Sequence, residues 1–206
     1  MVKRIYKFIR SIYRNWNKRL SLKRIIKSTD NNLNIVIGAG QTSFNGWIST
    51  DYPVFDITSE KHWKFLFKKS SIDKMLAEHV LEHLTEKQVA KVFSFSYQYL
   101  KRDGVFRFAV PDGYNSNAEY INAIRPGGWD IGADDHKVLW NQELFTEIAS
   151  KNGFNVQLLE YYDMFGVFHS MPFEIADGYI FRCKNNNYID KNVPNYSSLV
   201  IDLIKR

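Results

Sequence analysis

Leu33-Asn34-Ile35-Val36-Ile37-Gly38-Ala39-Gly40, followed closely by Gly46-Trp47-Ile48-Ser49-Thr50-Asp51, decides how this chain is read. Leu33–Ile37 is a short apolar run ending in two glycines. That pattern predicts a buried strand whose glycine turn lets a ligand approach the backbone closely. Trp47–Thr50 predicts a second strand, ending at Asp51, where a carboxylate can accept two ribose hydroxyls. Together they point to a nucleoside-containing cofactor. The spacing does not suit a dinucleotide: there is no G-x-G-x-x-G, and Asp51 follows Gly38 by only 13 residues.

Further along, Ile72–Ala77 predicts a third strand. Thr85 to Leu100 predicts a helix with Val89, Val92, Phe93 and Leu100 on one face, opened by a Thr85–Gln88 capping box and stopped by Gly104. Val105–Val110 predicts a strand closed by Pro111-Asp112-Gly113. Asn141 caps a helix carrying Leu144, Phe145, Ile148 and Ala149, which Gly153 ends. Phe154–Tyr161 and Ser198–Ile204 are the last strand candidates. Alternating strands and helices predict an α/β domain over residues 31–206 with a mostly parallel sheet. The stretch 162–197, aromatic and Asn-rich, reads as an irregular insertion over a site.

The chain has 206 residues, 45% hydrophobic and 24% charged, which suits one globular domain and excludes disorder. No apolar run approaches the length of a spanning helix. A single cysteine, Cys183, leaves no disulfide framework and no thiolate zinc site, and points to a reducing, cytoplasmic setting. The net charge of +6 is unevenly spread: residues 1–30 hold ten Lys/Arg against Asp30, net +9, and the remainder holds 18 basic and 21 acidic residues, net −3. Ile5, Phe8, Ile9, Ile12 and Trp16 recur at helical spacing opposite Lys3, Lys7, Arg10, Arg14 and Lys18. Residues 1–30 are therefore expected to form a basic amphipathic helix and a polar linker, Ser28 to Asn32. Residues 3–20 are expected to lie on an anionic membrane surface, at the inner face of the membrane. The acidic body argues against a nucleic-acid partner.

His79-Val80-Leu81-Glu82-His83 matches H-x-x-E-H, two zinc-ligating histidines and a glutamate base if the segment is helical. Read with the glycine strand and Asp51, the same residues have another meaning. The order of these motifs resembles class I S-adenosylmethionine-dependent methyltransferases. It is most similar to the small methyltransferases found beside glycosyltransferases in surface-polysaccharide gene clusters. The resemblance runs through Asp56-Ile57-Thr58, Ile72-Asp73, His79 to Leu84, Leu100 to Gly104, Ala109 to Asp112, His136-Lys137, Gly153-Phe154 and Tyr196 to Asp202. It implies a Rossmann-like three-layer fold with a seven-stranded sheet. It implies S-adenosyl-L-methionine as cofactor, with Gly38 and Gly40 beside its methionine part and Ala39 between them, where this group usually has Cys. Asp51 would hold the ribose, Asp56 and Ile57 would border the adenine, and Glu78 and His79 would stand beside the methionine end and the acceptor.

The activity expected is methyl transfer to a saccharide or small-molecule hydroxyl, in cell-surface glycan assembly and with an acceptor that can be lipid-linked. A hydroxyl acceptor gains from a general base. His136, in Asp134-Asp135-His136-Lys137, is the first choice, its imidazole oriented by a neighbouring carboxylate, and His169 is the second. Asp112 with Asp134 or Asp135 shows no recognisable ligand spacing, so no metal is expected. The alternatives are a nucleic-acid methyltransferase anchored by the basic arm, a zinc hydrolase on His79, Glu82 and His83, and a non-catalytic binding protein of the same fold.

Overall fold

A computed structural model describes residues 2–29, 32–184 and 198–206, with the side chains of residues 2–9 outside the description. The chain opens with helix α1 (Val2–Lys27). Strands β1 (Asn34–Ile37) and β2 (Ile48–Ser49) follow with no helix between them. Next come α2 (Glu60–Leu66), β3 (Ile72–Glu78), α3 (Glu86–Tyr99), β4 (Leu100–Val110), α4 (Ala118–Ile124), α5 (Gln142–Lys151), β5 (Phe154–Tyr162), β6 (Phe168–Ser170) and β7 (Leu199–Lys205). Short 3-10 turns occur at Leu81–His83, Ala133–Asp135 and Ile175–Asp177.

The seven strands form one sheet in the order β2-β1-β3-β4-β7-β5-β6. It is mixed, not mostly parallel. Pairs β1–β2, β1–β3 and β3–β4 are parallel, and β4–β7, β7–β5 and β5–β6 are antiparallel. The reason lies in where β7 begins. Ser198 stands beside His79 at the carboxyl end of β3, 3.2 Å from its Nε2, and Leu199 pairs with Val110 at the end of β4. A strand starting at that end of the sheet can only run back through it.

Side chains alternate across the sheet as the strand period requires. Ile35, Ile37, Met75, Ala77, Phe106, Phe108 and Ile201 face a large core that takes in Trp63 of α2, Val89, Val92 and Phe93 of α3 and Phe145 of α5. Val36, Leu76, Ala109 and Val200 face the other side. There they meet Ile180, Cys183, Phe173, Phe44 and Trp47, a cluster to which no helix contributes. Among the described residues, chain from the 162–197 stretch covers this part of the second face.

Local signals explain most boundaries. Thr85 and Gln88 cap α3 reciprocally, and the Asn141 side chain accepts the Leu144 N–H at 3.0 Å to start α5. Gly104 does not stop α3, which ends at Tyr99. It lies inside β4, where an added Cβ would come within 3.0 Å of the Asp73 and Lys101 carbonyl oxygens. The glycine permits close backbone approach at a register irregularity between Ile72 and Lys74. Helices α2 and α4, of seven residues each, carry too few turns to show a period and were not anticipated.

Helix α1 is longer than the expected 3–20 segment, and its second half is packed on the body. Leu22 and Ile26 enter the main core, Trp16 contacts Phe65 at 5.2 Å, and Arg19 donates to the Val54 and Pro53 carbonyls at 2.7 and 2.9 Å. Of the expected apolar stripe, Ile5, Phe8 and Ile9 lie outside the described side chains, while Ile12 and Trp16 are 54% and 44% exposed. No described helix is long and apolar enough to cross a membrane.

Candidate functional site

The carboxyl ends of β1, β2 and β3 converge where the chain first passes from one side of β1 to the other, the usual ligand position in open α/β sheets. A cavity of about 430 Å³ opens there, within the range of small-molecule sites. Its wall includes Gly38 after β1, Asp51 and Tyr52 after β2, Asp56, Ile57 and Thr58 before α2, and His79, Val80 and His83 after β3. Five of the expected cofactor residues, Gly38, Asp51, Asp56, Ile57 and His79, thus share one cavity.

Each is held by its own backbone. Gly38 has φ +64°, and an added Cβ would stand 2.4 Å from Val80 Cγ2. The bare backbone is therefore part of the cavity's shape. Asp51 accepts the Gly40 N–H on Oδ2 at 3.1 Å and the Tyr52 N–H on Oδ1 at 2.7 Å. A carboxylate offers about four lone pairs, so one on each oxygen remains for a vicinal diol. Gly40 acts on the site through Asp51. Ala39 is buried in the second core cluster and donates its N–H to the Thr50 carbonyl. Asp56 Oδ1 accepts the Thr58 N–H and hydroxyl at 2.9 and 2.7 Å, closing the turn that leads to α2. His79 has φ +54°, unusual for a residue with a side chain, with its Nδ1 2.9 Å from Glu82 Oε1.

Glu78 does not share this cavity. Its carboxylate accepts the Phe181 and Arg182 N–H groups at 3.0 and 2.8 Å, pinning the covering segment across the carboxyl end of β3. It lines a second, smaller cavity of about 260 Å³ with Gly38, Ala39 and His79, roofed by Phe44, Tyr179 and Phe181. These three rings lie within 6.0 Å of one another and were not anticipated individually. The aromatic character of the 162–197 stretch was the only signal for Tyr179 and Phe181, and Phe44 had none.

His136 is 9% exposed and is not part of either cavity wall. Among the described residues, no carboxylate is hydrogen-bonded to its ring. The backbone at His136 is extended, so successive side chains diverge, and the Asp135 carboxylate pairs with Lys137. The Ile124 carbonyl lies 2.6 Å from His136 Nδ1 instead. His169 pairs with Asp163 at 2.8 Å on the β5–β6 hairpin. The H-x-x-E-H reading needs both histidines on one helical face. The structure breaks that: His79 ends a strand and only Leu81–His83 forms a 3-10 turn.

Asp112 is fully buried after β4 and accepts the Tyr114 and Tyr162 N–H groups at 2.9 and 2.7 Å. Burial pushes its carboxyl up to about 6 in spite of those two donors. The unfolded chain ionises near the ordinary value of 3.8. The folded state therefore holds an extra proton between these values, and the associated stability is lost as pH rises from about 4 to 6, by roughly 3 kcal/mol at most. Urea denaturation across that range checks this: the wild-type stability minus that of Asp112→Asn should decline as pH rises. A constant difference would return Asp112 to an ordinary titration.

No family model matches this sequence, and no curated protein sequence does. Solved structures do match. An S-adenosylmethionine-dependent methyltransferase from Mesorhizobium loti superposes with a TM-score of 0.50 at 12% identity, over 89% of this chain and 95% of that one. A second, from Archaeoglobus fulgidus, gives 0.49 at 15% identity over 97% and 98%. Haemonchus contortus phosphoethanolamine N-methyltransferase 2, solved with phosphomonomethylethanolamine and S-adenosylhomocysteine, gives 0.45 at 18% over 70% and 38%. The chain has the fold of the S-adenosylmethionine-dependent methyltransferases. Identities this low establish the fold alone, and the Mesorhizobium protein is the match on which that statement rests.

Proposed function

We propose that this protein is an S-adenosylmethionine-dependent methyltransferase acting on the hydroxyl of a saccharide or small molecule in surface-glycan assembly. The observation that carries the reading is the shared cavity of Gly38, Asp51, Asp56, Ile57 and His79, with the Asp51 carboxylate already aimed by two backbone N–H groups. Those residues fit the cofactor: a diol acceptor in Asp51, a bare glycine backbone at Gly38, and a wall at Ile57. S-adenosylmethionine, when bound, supplies an electrophilic methyl group on a sulfonium. The chain's part is to position the acceptor in line with it and to exclude water. The covering segment held by Glu78 suits the second task. The hydroxyl acceptor and its saccharide nature rest on the order of sequence motifs.

Calorimetric titration with S-adenosylhomocysteine tests the cofactor. The wild type should bind it, and Asp51→Ala should bind about 10- to 100-fold more weakly, the loss of roughly 1.5–3 kcal/mol expected for hydrogen bonds to a charged group. Absence of wild-type binding removes the reading. Release of S-adenosylhomocysteine with nucleic acid, and with no saccharide offered, would overturn the acceptor class.

A further inference from the structure

Behind the wall formed by His79 and His83, three ligand-type side chains converge. One donor atom from each of Glu82, His83 and His136 lies within 4.8 Å of the other two. The His83 and His136 rings sit 5.1 Å apart, and the Glu82 carbonyl accepts the Lys137 N–H at 2.8 Å, tying the two ligand-bearing segments together.

The hydrogen-bond pattern is that of ligands with room for a cation. Glu82 is 2% exposed, and neither carboxylate oxygen accepts a hydrogen bond. The His79 Nδ1 is 2.9 Å from its Oε1, outside hydrogen-bond geometry. His83 Nδ1 is also buried without a hydrogen bond, 3.6 Å from Asp135 Oδ2. His136 Nδ1 faces the Ile124 carbonyl at 2.6 Å. A carbonyl only accepts, so Nδ1 is the donor and Nε2 is the nitrogen left for a ligand. A backbone carbonyl on one ring nitrogen is how metal-ligating histidines are commonly fixed. A buried carboxylate with unfilled lone pairs is costly unless a positive charge meets it.

We propose that Glu82, His83 and His136 bind one divalent transition-metal cation. Two imidazoles and a carboxylate suit zinc, iron, cobalt or manganese, whereas calcium and magnesium favour oxygen ligands throughout. Three protein ligands leave coordination positions for water or a substrate oxygen. His83 belongs both to this cluster and to the wall of the Asp51 cavity. The site stands independently of the methyltransferase reading; one consequence rests on that reading. His136 Nε2 cannot be both ligand and free base, so the base role expected of it passes to the cation, which lowers the pKa of a bound hydroxyl so that its proton leaves to solvent.

Full-length protein stripped with a chelator and titrated with cobalt(II), without S-adenosylhomocysteine, tests the site. The expected result is one cobalt per chain with visible d–d absorption, displaced by zinc. Glu82 and His136 are buried, and their variants risk misfolding. Partly exposed His83 therefore carries the test: folded His83→Ala, checked by circular dichroism, should bind at least tenfold more weakly and lose the thermal stabilisation that cobalt gives the wild type. His169→Ala, on the β5–β6 hairpin, should bind like the wild type. Absence of saturable one-to-one binding by the wild type, or wild-type affinity in folded His83→Ala, overturns the proposal. Cofactor binding is measured separately, so either reading can fail without the other.

Discussion

Arg107→Met should lower the stability of the folded chain by about 3–5 kcal/mol, the usual cost of leaving one partner of a buried ion pair unmatched. Arg107 lies in the middle of β4 and is 1% exposed. Its Nε and Nη2 donate to both oxygens of Asp202 on β7, each at 2.7 Å. Arg107 and Asp202 face each other directly across the antiparallel pair. The remaining donor, Nη1, reaches the Glu174 and Gly178 carbonyls at 2.6 and 2.8 Å, and the guanidinium lies 4.6 Å from the centre of the Phe173 ring. One side chain therefore fixes the reversed strand and the covering segment together. In a domain of this size the loss should lower the melting temperature by roughly 10 °C. Arg107→Met combined with Asp202→Leu should recover part of it, because no charge is then stranded, but not all, because two carbonyls lose their donor. Thermal and urea unfolding of the two variants checks both statements. A single variant within about 1 kcal/mol of wild type would mean that the pair is solvated and that the covering segment is held by other contacts.

Gly38→Ala should abolish measurable binding of S-adenosylhomocysteine, at least a hundredfold loss. The new Cβ would stand 2.4 Å from Val80 Cγ2, on a backbone at φ +64°. Left-handed backbone costs a non-glycine residue on the order of 1 kcal/mol, and the clash must displace a wall of the cavity. Displacements near 1 Å in such sites cost about a hundredfold. Gly40→Ala supplies the contrast: its φ is +54° but nothing lies within 4 Å of an added Cβ, so only the backbone strain should appear. Adding Val80→Ala to Gly38→Ala should restore part of the affinity by removing the clash and not the strain. Calorimetry on the three variants separates the two terms. Undiminished binding by Gly38→Ala would move the cofactor away from the glycine turn.

The hydrophobic period gave away the strands wherever it ran for four or more residues, because burial on both faces leaves little freedom in residue type. The caps at Thr85 and Asn141 were legible for a similar reason: a side chain that satisfies its own backbone leaves a local mark. Gly104 misled because a glycine that ends a helix and one that permits close strand approach are the same letter. That Gly38, Asp51 and Asp56 share one cavity was legible, because each is fixed by the chain immediately around it. Glu78 lines the smaller cavity beside Gly38 and His79, and its hydrogen bonds to the covering segment were not legible. A strand's end fixes which residue is last, while its side chain's partner comes from a segment over 100 residues away.

The sequence by itself determined the order of the longer strands and of α1, α3 and α5, the glycine turn, the acid after the second strand and the split between a basic N-terminal segment and an acidic body. All of these depend on interactions within a few residues of one another. Only the tertiary structure decided that the last strand enters reversed between β4 and β5, and that irregular chain fills the space on the second face. Only it could join Glu82 and His83 to His136, more than 50 residues along, in place of the His79 that adjoins them in sequence. Those outcomes depend on which distant segments compete for the same buried polar groups and the same apolar face, and no local pattern records that competition.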